Sequence, residues 1–111
     1  MKKIKGKIAV VTGAGSGIGR ATSIALARKG ATLVLADINE AGMRETAKLI
    51  SAAGGTSSAH VVNVADKRRM QAFADEIDTL HGRVDIVVNN AGIGILDDFV
   101  EGSLEDFEKV V

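Results

Sequence analysis

Thr12-Gly13-Ala14-Gly15-Ser16-Gly17-Ile18-Gly19 lies between an apolar run at 7–11 and a helix-like stretch from Ala21. Glycines concentrated at that junction leave bare backbone where a helix starts. Orphan amide N–H groups and the positive end of the helix dipole gather there, which suits a bound phosphate. Outward from the turn, further apolar runs rich in Val, Ile and Leu recur at 32–36, 58–62 and 84–88. Those at 7–11, 32–36 and 84–88 are nearly continuously apolar, the pattern of parallel strands covered on both faces.

Helical patterns fill the intervals. Ile18, Ala21, Ala25 and Leu26 recur at helical spacing, and Gly30 stops that helix. Asn39 is placed to cap a second helix, with Met43, Ala47 and Ile50 on one face and Gly54-Gly55 at its end. Asp66 is placed to cap a third, whose stripe of Met70, Phe73, Ala74, Ile77 and Leu80 closes at Gly82. The order is β-α-β-α-β-α-β, with connections short enough for right-handed crossovers. Beyond Asn89-Asn90-Ala91-Gly92 a loop is expected over 93–102. Ser103-Leu104-Glu105-Asp106 then reads as the start of a helix that runs on to Val111.

The 111 residues make one domain, enough to bury on the order of 65% of the unfolded surface. Lys+Arg 14 against Asp+Glu 14 leaves no global field to recruit nucleic acid or an anionic membrane. The absence of cysteine excludes disulfides and thiolate metal sites. The basic start, Met1 to Lys7, precedes an apolar run too short and broken for an export core. No segment approaches the ~20 apolar residues of a membrane span. A soluble, cytoplasmic protein is expected.

Two further features converge on the glycine turn. Asp37 ends the second run, 18 positions after Gly19, close to the ~20-residue offset at which an acid accepts hydrogen bonds from ribose hydroxyls. Asn89-Asn90-Ala91-Gly92 ends the fourth run, and open α/β sheets bind ligands outside the carboxyl ends of their strands. His60 and His81 stand apart from any clustered ligand pattern, so no metal site is read. His81 is assigned a favourable interaction with a helix C-terminus.

Thr12-Gly-x-x-x-Gly17-x-Gly19 with Asn89-Asn90-Ala91-Gly92 resembles the short-chain dehydrogenase/reductase family from about residue 7 to the end. The resemblance implies a Rossmann-type α/β fold, a parallel sheet of order 3-2-1-4 with helices on both faces. Residues 1–111 would be its NAD-binding domain, truncated before the catalytic part. Gly13 would permit the tight turn, Ser16, Gly17 and Ile18 would line the pyrophosphate beside Gly15, and Gly19 would allow close helix–sheet packing. Thr12 and Asn89 would tie strand ends together, while Asn90, Ala91 and Gly92 would flank the cofactor's ribose and nicotinamide side.

Asp37 points to NAD rather than NADP, because a carboxylate accepts from a 2′-hydroxyl and repels a 2′-phosphate. Neither Ser16 nor Ile38 offers the Arg or Lys that phosphate-binding members usually carry there. Val62-Asn63-Val64 occupies the place of the family's Asp-Val beside the adenine. Asn63 keeps one acceptor oxygen and adds an amide donor; a strand-end turn role carries equal weight.

The family's chemistry is hydride transfer between nicotinamide and an alcohol or carbonyl, with a Tyr-x-x-x-Lys pair, a serine and an asparagine. This chain has no tyrosine. No catalytic residue is therefore assigned, the pair is expected beyond Val111, and the chain alone is expected to be inactive. Three readings follow: the cofactor-binding part of an NAD-dependent oxidoreductase, a nucleotide-binding half-domain without turnover, or a structural or regulatory module. The first implies a small-molecule alcohol or carbonyl substrate and a homo-oligomer. A fourth strand left without a neighbour is expected to pair with another copy.

Overall fold

All five residues of β1, Ile8–Thr12, are buried, as a strand must be when it is flanked by neighbours and covered on both faces. The computed structural model describes residues 3–90 and the segment Glu108–Lys109. After β1 come α1 (Gly17–Arg28), β2 (Thr32–Asp37), α2 (Glu40–Ala52), β3 (Thr56–Val61), α3 (Lys67–His81), β4 (Ile86–Val88) and β5 (Glu108–Lys109). The strands form one sheet of order β3-β2-β1-β4-β5, and the paired strands run parallel. This is a Rossmann-type α/β arrangement with the expected 3-2-1-4 order at its core.

Strand alternation divides the core in two. Ile8, Val10, Val34 and Ala36 face α3 and pack with Met70, Phe73, Ala74 and Ile77. Ala9, Val11, Leu33 and Leu35 face the other way and pack with Ala27, Met43 and Ile50 of α1 and α2. Asn39 and Asp66 cap α2 and α3, accepting from the amides of Gly42 and Arg69 at 3.0 and 3.1 Å. Gly82 ends α3 in the left-handed conformation, φ +71°. At the edge strand β3, His60 bonds Ser58 and, on α3, Glu76, each at 2.9 Å, and Arg69 of α3 donates to Val61 O at 2.8 Å.

Several expectations need correction. α1 begins at Gly17, four residues before Ala21. Ile18, Ala21 and Ala25 face outward, and the buried face is Gly19, Ser23 and Ala27. The cause is close approach: α1 lies so near the β1 turn that only small side chains fit beneath it. Leu80 is exposed at the end of α3, and Val84, after the turn at Gly82, joins that core cluster in its place. Residues 108–109 are not helical. They pair with Ile86–Val87 of β4, because the ladder of an open strand edge outcompetes local helix signals. Residues 103–106 and the loop at 93–102 lie outside the described residues. No helix among the described residues is long and apolar enough to cross a membrane.

Candidate functional site

The carboxyl ends of β1, β2 and β4 meet around the glycine turn. Gly13 leaves β1 at φ +66° and Gly17 enters α1 at φ +54°, both in the left-handed region that favours glycine. A Cβ on Gly19 would overlap the Gly13 carbonyl, so α1 and the turn touch backbone to backbone. Ser16 stands at the N-cap of α1, yet its hydroxyl makes no capping bond and no acid occupies the first turn. The amides at the start of α1 therefore face outward with the dipole's positive end behind them.

Asp37 stands at the centre of the arrangement. Its Oδ2 accepts from the Gly15 amide at 2.7 Å and its Oδ1 from the Asn39 amide at 2.9 Å. A carboxylate has about four acceptor positions, so each oxygen keeps capacity while the group is already aimed. Beside it opens a cavity of about 200 Å³ lined by Gly13, Ala36, Asp37, Ile38, Val62, Asn63 and Val64. That is smaller than the roughly 300–1,000 Å³ of whole-ligand pockets and suits one portion of an extended molecule.

The turn reading of Asn63 is realised. Its side-chain oxygen accepts from the Ala65 amide at 2.9 Å, and a second lone pair remains beside the amide N–H groups. Ile38 and Ile18 are 67% and 73% exposed at the rim. Thr12 ties β1 to β4, its hydroxyl accepting from the Asn90 amide at 3.0 Å and reaching Val88 O at 3.5 Å. The Asn90 side chain lies 3.4 Å from Gly13 O. Asn89 is exposed at the end of β4, and Ala91 and Gly92 fall outside the described residues. Among the described residues no group of three His, Cys, Asp or Glu side chains gathers as metal ligands would.

Sequence reasoning missed Arg20, Gly42 and Thr46. Arg20 donates from Nε to Thr46 Oγ1 at 2.9 Å, and from Nη2 to Gly15 O at 2.7 Å and Gly42 O at 3.1 Å. A usable signal existed: a cation in a helix's first turn opposes the dipole and needs a local reason.

The short chain dehydrogenase family profile matches residues 7–111. The chain is 48% identical over 101 residues to the Probable oxidoreductase EphD of Mycobacterium tuberculosis, covering 91% of this chain and 17% of that protein. It is 38% identical over 109 residues to D-threitol dehydrogenase of Mycolicibacterium smegmatis, covering 98% of this chain and 42% of that one. A metagenomic short-chain oxidoreductase solved in complex with NADP superposes with TM-score 0.79 at 39% identity, over 84% of this chain and 42% of its own. A short chain dehydrogenase from Mycobacterium paratuberculosis bound to NAD gives TM-score 0.75 at 32% identity, over 84% and 39%. The chain therefore spans less than half the length of each of these relatives.

Proposed function

We propose, on the premise that this chain belongs to the short-chain dehydrogenase family, that it is the dinucleotide-binding part of an NAD-dependent oxidoreductase. The observation that carries this reading is Asp37, held by the Gly15 and Asn39 amides between the glycine turn and the cavity. The adenine would lie in the cavity along Val62, Asn63 and Val64, with Ile38 at its rim. The ribose hydroxyls would donate to Asp37. The pyrophosphate would rest on the amides of 16–19, where α1 has no side-chain cap. Asn90, with Ala91 and Gly92, would flank the nicotinamide side.

What supports the fit is the N-terminus of α1, left without a side-chain cap, and the acceptor capacity that Asp37 keeps; the close glycine contacts seat the turn. Gly15 sits so close to Asp37 that a Cβ would lie 2.7 Å from Oδ2, and Gly19 abuts Gly13. The bound nicotinamide would supply hydride exchange with an alcohol or carbonyl substrate. The residues of this chain bind and orient it, and no acid or base is assigned among them because the chain has no tyrosine. The same reading makes the protein a cytoplasmic homo-oligomer acting on a small molecule.

NAD is favoured over NADP by charge. A 2′-phosphate about 4 Å from the Asp37 carboxylate would meet repulsion of roughly 1–4 kcal/mol, where a 2′-hydroxyl gains a charge-assisted hydrogen bond. The test is calorimetric titration of wild type and of Asp37→Ala combined with Ile38→Arg. The double variant should lose NAD affinity and improve its NADP-to-NAD ratio by about tenfold or more. Wild-type preference for NADP, or an unchanged ratio, refutes the assignment.

A further inference from the structure

We propose that Arg20 and Thr46 are positioning residues that fasten the glycine turn to α2 and hold it in the shape that receives the pyrophosphate; this rests on the dinucleotide reading above. Arg20 lies in the first turn of α1, beside the positive end of the dipole, where a cation is disfavoured. Its guanidinium turns to α2 rather than to water. Its three bonds bridge the turn and that helix: Nη2 takes Gly15 O of the turn, while Nη2 to Gly42 O and Nε to Thr46 Oγ1 take α2.

Thr46 is fully buried, and its hydroxyl donates to Ala14 O at 2.8 Å with Gly42 O at 3.1 Å. The carbonyls of Ala14 and Gly15, on successive peptides, are thus both drawn toward α2. The amide of Gly15 is simultaneously held by Asp37. A peptide fastened at both its N–H and its C=O cannot rotate to present an oxygen lone pair to a phosphate. α2 comes this close because residue 42 is glycine; a Cβ there would overlap Gly15 O and lie 2.8 Å from Asn39 Nδ2. Lysine could not replace Arg20, since one ammonium on a flexible stem lacks the planar fork that reaches three acceptors at fixed angles.

The experiment compares NAD and adenosine binding by calorimetry, with a thermal melt, for the full chain and its Arg20→Lys, Thr46→Val and Thr46→Ser variants. Adenosine carries no pyrophosphate and lies on Asp37 and the cavity, so it reports the site without the turn. NAD affinity should fall about tenfold or more in Arg20→Lys and Thr46→Val, with adenosine held within about threefold. Thr46→Ser keeps the hydroxyl and should restore NAD binding.

Arg20→Lys binding NAD like wild type would show that charge alone matters, and would overturn the proposal. Equal loss of both ligands would mark a purely structural role and overturn it too. If Arg20→Lys does not fold, the isosteric Thr46→Val decides by the same criterion. Wild type binding neither ligand sinks the dinucleotide reading itself; wild type binding both, with no split among folded variants, sinks only the fastening role.

Discussion

Gly19→Ala sets helix propensity against close packing, and the two predict opposite signs. Gly19 lies inside the first turn of α1, where alanine is the better helix former by roughly 1 kcal/mol. Its Cβ, however, would overlap Gly13 O, with Gly13 C at 2.7 Å and Asn90 Nδ2 at 3.0 Å. Gly13 cannot yield, because it follows a fully buried strand and its φ is +66°. Overpacking costs about 1–3 kcal/mol, and the upper end applies where the obstacle is main chain. The net loss is then about 1–2 kcal/mol, or roughly 5–15 °C in Tm for a domain of this size. The available relaxation lifts α1 from the turn and spreads the amides of 17–19, so NAD affinity should fall as well. Circular dichroism melts and calorimetric NAD titration of both proteins provide the assay. A Gly19→Ala chain as stable as wild type, or more so, refutes the packing argument and leaves propensity in charge.

Stability should decline in acid. The Arg69 hydrogen bond, opposed by burial and helped by His60, holds Glu76 below its usual pKa. Burial works to raise Asp85, but the Ile8 amide and then Arg83, with the charge of Lys7, outweigh it and hold its pKa low. Both folded values lie below unfolded ones of about 4, so each contribution is complete above that pH and is lost as pH falls through the lowered folded pKa. Denaturant unfolding between pH 6 and 3 should show the decline, with a shallower slope in Asp85→Asn; an unchanged slope removes Asp85 from the account. Asn63→Asp should tighten NAD several-fold, since one carboxylate oxygen can keep the Ala65 amide while the other accepts from the adenine amino group. Weaker binding by a folded Asn63→Asp chain would place the adenine elsewhere.

The inner strands and the caps were legible because their causes are local. Parallel strands covered on both faces must be apolar along their covered stretch, and 8–11 of β1 and 33–36 of β2 are. Asn39, Asp66 and Gly82 act within three or four residues of their own positions. The strand end and the offset from Gly19 marked Asp37, and the family resemblance marked Ile38, Asn63 and Val64; the fold gathers all four around one cavity. The buried face of α1 was not legible, since close approach selects Gly19, Ser23 and Ala27 over the larger Ile18. Arg20 and Thr46 are 26 residues apart, and only the seating of α2 on the turn brings them together. Glu108–Lys109 failed for the same reason: capping signals at 103–106 are local, whereas the open edge of β4 is a product of the whole sheet.

Much of the glycine motif is accounted for without any ligand. Gly13 needs its positive φ, Gly19 its contact with Gly13, Gly15 its nearness to Asp37 and Gly42 its contact with Gly15. A protein that bound nothing could require the same residues to seat α1 and α2 on the sheet. Two features do not follow from packing. α2 and α3 each carry a side-chain cap, while α1, whose N-terminus faces the centre of the site, has a serine that makes no such bond; a cap is worth about 1 kcal/mol. Asp37 fixes two backbone amides with one oxygen apiece and keeps acceptor capacity on both, aimed at the rim of the cavity. A partner bearing negative charge at the helix and hydroxyl donors at the carboxylate satisfies both at once. The nicotinamide dinucleotides carry those groups in that order, and the proposed preference for the one without a 2′-phosphate rests on that carboxylate.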